Sequence, residues 1–254
     1  MKAPYLTIAT WNLQKCVGMD LRRNPGRTLD VLGDTGADLA VLQEVDKRLP
    51  PRPAALPRAM AEAAGWQVLD VSPLGPGGPS LGWHGNTMLA RPGIEVDSLH
   101  HMDLPGLEPR GAIRADLTTP LGPLRVIGTH LGLIRRDRLR QLGAISRMLA
   151  RLDDRPTLLA GDINEWGQIA PLQHALPQLR FLDSPRTYPS LRPLGALDRF
   201  ALSPHLQAKG RPHAHMAQPA RIASDHLPLL LRLTLAETDA QPAPTGDQKS
   251  ERQA

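Results

Sequence analysis

The sequence predicts an α/β sandwich, and three observations predict it. Apolar runs of strand length recur along the chain, most of them singly and one pair as a hairpin. A few intervening segments carry their apolar residues at helical rather than alternating spacing. Strands and helices mixed in this way bury their apolar faces by packing in layers. With 254 residues, 41% of them hydrophobic and 22% charged, the chain suits one large domain over residues 1–236, followed by a polar tail over 237–254.

In chain order, residues 6–11 form a buried first strand, residues 27–36 a helix with Leu29 and Leu32 on its apolar side, and residues 38–42 a second strand. Residues 48–58 hold four prolines and cannot be a regular element, so they read as a surface loop leading to a helix over 59–64. The segment 75–85 is Gly-rich but lacks the Lys-Ser/Thr ending of a phosphate-cradling loop and opens no helix. A strand begins at Asn86 and runs to residue 90. Residues 112–117 and 124–129 pair across the Pro120 to Pro123 turn. Leu139, Leu142, Ile145, Leu149 and Leu152 then recur at helical spacing, and this amphipathic helix leads to a strand ending at Asp162. The last strands are 197–202 and 228–235, and the tail beyond them has the polar, Pro-rich composition of a disordered end.

Composition narrows the function. Cys16 is the only cysteine, which excludes an intramolecular disulfide and a thiolate metal cluster. The opening residues are too short an apolar run for a signal sequence, and no stretch approaches the roughly 18 apolar residues of a membrane helix. A cytoplasmic, monomeric protein without a transmembrane segment is therefore expected. Net charge is +5, and +7 without the acidic tail, which suits a polyanionic or anionic-lipid partner. Only 3% of residues are aromatic, few platforms for stacking exposed bases.

The chemistry sits at the ends of the apolar runs. Six polar islands read Asn12 in TIATWNLQ, Gln43 and Glu44 in DLAVLQEV, Thr129 and His130 in LRVIGTHL, Asp162 and Asn164 in TLLAGDIN, Asp198 in ALDRF, and Asp225 and His226 in ASDHLPL. Carboxylates, carboxamides and imidazoles delivered from several strand ends can hold a hard divalent cation and a phosphate together, which points to phosphoester hydrolysis. One island alone means little, because Asp-x-Asn is a common turn and an Asp-His pair is common surface polarity.

All six, in this order, resemble the endonuclease/exonuclease/phosphatase superfamily, with the likeness running from Tyr5 to about Leu235. The resemblance implies a four-layer α/β/β/α sandwich of two mixed β-sheets flanked by helices, with the active site at one edge. It implies that Glu44, Asn12 and Asp225 serve a metal, Mg²⁺ or Mn²⁺. It further implies that Asp162 positions or deprotonates the attacking water, that Asn164 holds the phosphate or fixes Asp162, and that Asp198 keeps His226 cationic against the phosphate. Ile163 stands where the family usually has Phe. His130 matches the deoxyribonuclease, sphingomyelinase and inositol phosphatase branches, whereas abasic-site endonucleases carry a tyrosine motif. Asn86 matches a position near the phosphate, and Arg110, which lies just before a strand, is placed to reach an anionic substrate; both also suit ordinary turns.

The fold serves many substrates, so the expectation is a phosphodiesterase acting on DNA or RNA, with a phospholipid or a small phosphorylated metabolite as the alternative. A lipid enzyme should carry apolar loops beside its site, and residues 104–107 or 73–83 are the segments that can supply them. A silent binding scaffold has no chemical need for Glu44, Asp162, Asn164, Asp198 and His226 together.

Overall fold

The computed structural model describes residues 4–46, 53–71 and 78–236. Along the chain lie β1 (Leu6–Asn12), a 3-10 turn (Gln14–Cys16), α1 (Pro25–Asp34), β2 (Leu39–Gln43), α2 (Arg58–Ala63), β3 (Gln67–Leu69), β4 (Thr87–Ala90), β5 (Glu95–Leu104), β6 (Arg110–Thr119) and β7 (Gly122–His130). There follow α3 (Arg135–Leu149), β8 (Thr157–Asp162), α4 (Ala170–Ala175), β9 (Arg180–Phe181), β10 (Asp198–Leu202), β11 (Leu206–Ala208), β12 (His213–Ala214), α5 (Ala220–Ala223) and β13 (Leu229–Leu235). Helix α1 starts where helix chemistry dictates: Pro25 occupies the first turn, and the Asn24 side chain accepts the Arg27 N–H.

The strands form two mixed sheets. One runs β11-β13-β1-β2-β4-β3, with β12 also on β13, and the other runs β5-β6-β7-β8-β10-β9. Each holds one parallel pair, β1 with β2 and β7 with β8. Parallel neighbours require a crossover, which α1 and α3 supply, and the crossover brings both strands of each pair to finish at the same end. Asn12, Gln43, His130 and Asp162 are the last residues of these four strands. Antiparallel partners begin where these finish, so Asp198 at the start of β10 lies in register with Asp162. That pairing collects polar residues from distant sequence positions at one edge.

Three apolar clusters separate four layers. Ile8, Val41 and Leu231 of one sheet meet Ile113, Leu158 and Phe200 of the other. Leu29 and Leu32 of α1 cover the outer face of the first sheet with Trp11 and Leu42. Leu142 and Ile145 of α3 cover the second with Ile127 and Leu159. Gly128 and Gly161 are two of the glycines at close approaches. A Cβ on Gly128 would lie 2.7 Å from Val41 Cγ1 across the sheet interface. Gly161 has φ +155°, and a Cβ there would stand 1.9 Å from the Thr129 carbonyl oxygen. Gly161→Ala is therefore expected to cost about 3 kcal/mol or more, read as a lowered midpoint in urea unfolding, because a backbone atom rather than a movable side chain blocks the methyl.

Several elements differ from the sequence reading. Strand β5 escaped it because EVDSLHHMDL has too many polar residues to look buried; it is an edge strand, mostly exposed, held along its length by β6. Helix α3 begins at Arg135 rather than 139, because Arg138 turns inward onto Glu165 instead of to solvent. Short elements such as β3, β9 and α4 carry too few residues for a period to show. Of the Pro-rich and Gly-rich segments, residues 47–52 and 72–77 lie outside the described residues, as does the tail 237–254. Among the described residues no helix is long and apolar enough to cross a membrane.

Candidate active site

Asp162 sits at the centre of the polar edge. In the sheet its neighbours in register are His130 on β7 and Asp198 on β10. From the opposite sheet the Asn12 Nδ2 donates to Asp162 Oδ2 at 3.1 Å. The same oxygen lies 3.4 Å from His130 Nε2 and 3.7 Å from His226 Nε2. Its partner oxygen accepts the Asn164 N–H at 3.0 Å. One carboxylate thus faces two imidazoles and one carboxamide drawn from both sheets, and almost none of it reaches solvent.

His226 is oriented from three sides. Its Nδ1 lies 2.9 Å from Asp198 Oδ2, and Thr187 Oγ1 donates to that same oxygen at 2.5 Å. The Trp11 indole N–H donates to the His226 carbonyl at 2.8 Å, and the Tyr188 ring packs 4.8 Å from the imidazole. With Nδ1 committed to Asp198, Nε2 is the nitrogen turned toward Asp162.

Burial and charge set the protonation states. Burial opposes a charged His226, but the Asp198 and Asp162 carboxylates outweigh it and push the imidazole up to about 10. Burial is also the largest influence on Asp162, and the Asp198 charge adds to it. The His226 cation and the Asn12 and Asn164 hydrogen bonds pull back, leaving this carboxyl at about 6. Near neutral pH the pair is an ionised carboxylate facing an imidazolium.

A second acidic position adjoins the first. Glu44 follows the last residue of β2 with φ +53°, a left-handed conformation unusual for a residue with a long side chain. Asn164, two residues past the end of β8, also has positive φ, +55°. Backbone strain at two strand ends of one site is the kind of constraint that functional positions retain. The Glu44 carboxylate pairs with the Lys15 ammonium. Asp225 is near enough that the Glu44 charge, after burial, raises its carboxyl above the ordinary range. Ser224 Oγ ties the Asp225 position to β1, donating to the Asn12 carbonyl at 2.7 Å.

Among the described residues no three His, Cys, Asp or Glu side chains close into a cage. The donor set does fit a hard cation such as Mg²⁺, which takes one or two carboxylates and keeps waters and substrate oxygens for its remaining positions. Glu44 and Asp225 are the residues that would supply the carboxylates. The Lys15 contact shows that a positive charge is already accommodated at Glu44.

Asn12, Glu44, His130, Asp162, Asn164, Asp198, Asp225 and His226 thus all belong to this edge. Asn12 acts through its amide nitrogen on Asp162, while its Oδ1 accepts the Gln14 N–H. Asn164 fixes Asp162 through its backbone and donates its side chain to the Leu131 carbonyl. Asn86 donates its amide to the Trp83 and Gly111 carbonyls, and its buried Oδ1 has no hydrogen-bond partner among the described residues. Arg110 is buried with two nitrogens on the Glu108 carboxylate, whose other oxygen accepts the Leu133 N–H. It supports a loop next to His130 rather than extending into solvent. The sequence reading missed Lys15, Thr187 and Tyr188. Only the PRTYPS segment just before ALDRF hinted at the last two, and nothing in it distinguishes them from loop residues.

Comparison with known proteins places the chain in a family and its fold among solved structures. A family model described as the Endonuclease/Exonuclease/phosphatase family matches residues 9–226. The Uncharacterized protein YbhP of Escherichia coli K12 is 32% identical over 166 residues, 61% of this chain and 64% of that protein's length. Danio rerio TDP2, in a crystal structure complexed with single strand DNA product, superposes with a TM-score of 0.70 at 16% identity, covering 91% of this chain and 99% of that one. The Bacteroides thetaiotaomicron mannosyl-6-phosphatase Bt3783 superposes with a TM-score of 0.68 at 16% identity, over 90% and 99%. At these identities the solved structures establish a common fold.

Proposed function

The chain belongs to the endonuclease/exonuclease/phosphatase family of phosphoesterases, and on that premise we propose that it is a divalent-metal-dependent phosphodiesterase that cleaves its substrate by in-line attack of water on phosphorus. The observation that carries the reading is the convergence of Asn12, His130 and His226 on the buried carboxylate of Asp162. A carboxyl lifted by burial to about 6 is ionised near neutral pH yet basic enough to accept a proton from water. Asn12 and the Asn164 backbone aim it. His226, kept cationic by Asp198, offers Nε2 to a phosphoryl oxygen as negative charge grows there. His130, beside it, is placed to contact the phosphate or to protonate the departing oxygen. Glu44 and Asp225 are the residues that would hold Mg²⁺ or Mn²⁺, which would polarise the phosphoryl group and neutralise its charge.

A basic body suits a polyanion, and the zebrafish neighbour is seen with single strand DNA. Both support a phosphodiester rather than a neutral substrate. The test is hydrolysis of the soluble diester bis(p-nitrophenyl) phosphate across a Mg²⁺ or Mn²⁺ titration. Glu44→Gln should lower the rate at limiting metal by on the order of 100-fold and recover in part as metal is raised, since one carboxylate ligand is lost and the proton-transfer groups remain. A metal response identical to that of the unaltered protein would remove Glu44 from the metal site.

A further inference from the structure

Resting on the phosphodiesterase reading above, we infer that this site works at a membrane surface: the rim around it is an apolar and cationic collar that seats on an anionic lipid bilayer, and the substrate is a phosphodiester lipid. Single exposed leucines are ordinary on any protein. Their distribution here is not, because nine of the twelve large hydrophobics exposed among the described residues stand on loops at the catalytic edge. Six form an arc on the His130 and His226 side: Leu107, Leu133, Ile134, Trp166, Leu191 and Leu194, each 44% to 77% exposed.

The arc is physically continuous. Leu107 and Leu133 are joined through Asp137 and Glu108, which accept their backbone N–H groups. Arg135, next to Ile134, reaches the Gln168 carbonyl and Glu165, on either side of Trp166. The Trp166 ring packs on Gly195, where a Cβ would come within 2.9 Å of it, and edge-on against Tyr188, the ring beside His226. Leu191 is tied back by Arg221, which donates to its carbonyl. Apolar tips on separate anchored loops, around a centre built for a charged group, match a surface that is apolar a few ångströms below a layer of phosphates. A tryptophan at the rim suits that boundary.

Charge completes the match. Arg136 follows the Leu133 and Ile134 tip, Arg192 lies between Leu191 and Leu194, and both are exposed. The body carries +7, which favours an anionic leaflet. A nucleic-acid groove gains little from leucine tips, whose neighbours would be hydrated sugars and phosphates. The sequence-based expectation of apolar loops is met at Leu107, whereas Trp83 is partly buried among core residues and residues 73–77 lie outside the described residues. In the reaction, water adds to phosphorus, the P–O bond to one esterified alcohol breaks, one water proton passes to the departing oxygen and the other is released.

Binding is tested without turnover, in EDTA, by sedimentation with vesicles of phosphatidylcholine alone or mixed with phosphatidylglycerol, and by tryptophan emission. Trp166 is the exposed reporter, since Trp11 and Trp66 are buried and Trp83 partly so. The unaltered protein should sediment with the mixed vesicles, with a blue shift in emission. The combined Leu107→Ser, Leu191→Ser and Leu194→Ser variant should bind on the order of 100-fold more weakly, each leucine contributing roughly a factor of five. Its hydrolysis of bis(p-nitrophenyl) phosphate should be unchanged. Unaltered protein that ignores both vesicle types, or a triple variant that binds them equally well, overturns the inference, and so does a triple variant that loses affinity for DNA instead. Vesicle binding that is lost in the triple variant, beside a failure to hydrolyse the soluble diester, would support the docking surface and overturn the phosphodiesterase reading alone.

Discussion

Asp162→Asn is expected to lower kcat on a soluble phosphodiester by ~10³–10⁴-fold while leaving the folded protein intact, because it removes the proposed proton acceptor and retains the shape. The replacement still accepts the Asn164 N–H, and the surrounding β8 register is untouched. Circular dichroism and a urea midpoint near that of the unaltered protein check the second half of the claim. The same group fixes the acidic side of the pH profile. A base must be deprotonated to act, and burial, then the Asp198 charge, raise Asp162 to about 6. The rate should therefore fall as pH drops through that value. Bound metal favours the ionised carboxylate and moves this limb to lower pH, so the limb measured with Mg²⁺ should lie at or below about 6. Initial rates from pH 4 to 8 at saturating metal check the sign.

His226→Gln is expected to cost ~10³-fold in kcat, since glutamine fills much of the space but carries no positive charge to meet the developing charge on phosphate. The unaltered protein should lose activity as pH rises through about 10, where the imidazolium that Asp198 and Asp162 sustain against burial gives up its proton. Thr187→Val separates positioning from chemistry. It removes a hydroxyl that donates to Asp198 Oδ2, the oxygen that also faces His226. The expected result is a change of roughly tenfold in kcat with KM little altered, together with a displaced alkaline limb. A purely structural role for Thr187 would lower stability and leave that limb where it was.

How much of this was legible beforehand depended on the kind of signal. Asp162, His130, Asn12 and Glu44 announce themselves because each ends an apolar run, and a strand end in an α/β layer is where a polar residue becomes accessible without being buried unpaired. The pairing of β7 with β8 and of β8 with β10, which sets His130 and Asp198 beside Asp162, could not be read from the runs themselves. Only the meeting of the islands in one edge site was expected, from their order and their resemblance to a family. Thr187 and Tyr188 were invisible, because a loop residue gains its role only when the chain folds back onto His226. Arg110 shows what a sequence pattern leaves out: the fold sets a carboxylate, Glu108, next to that cation. The apolar rim was legible only at Leu107, since an isolated leucine in a loop has no pattern until neighbouring loops are assembled around it.

The central claim is that Asp162 is the proton acceptor of a metal-dependent phosphodiesterase, and one measurement addresses it directly. Protein stripped with EDTA would be titrated with Mg²⁺ and Mn²⁺ in bis(p-nitrophenyl) phosphate and ¹⁸O-labelled water, in parallel with Asp162→Asn. The expected result is no turnover before metal, saturable turnover after it, one ¹⁸O in the phosphoryl product, and loss of that turnover in the variant. Hydrolysis that persists in EDTA, or that Asp162→Asn retains at full rate, would contradict it.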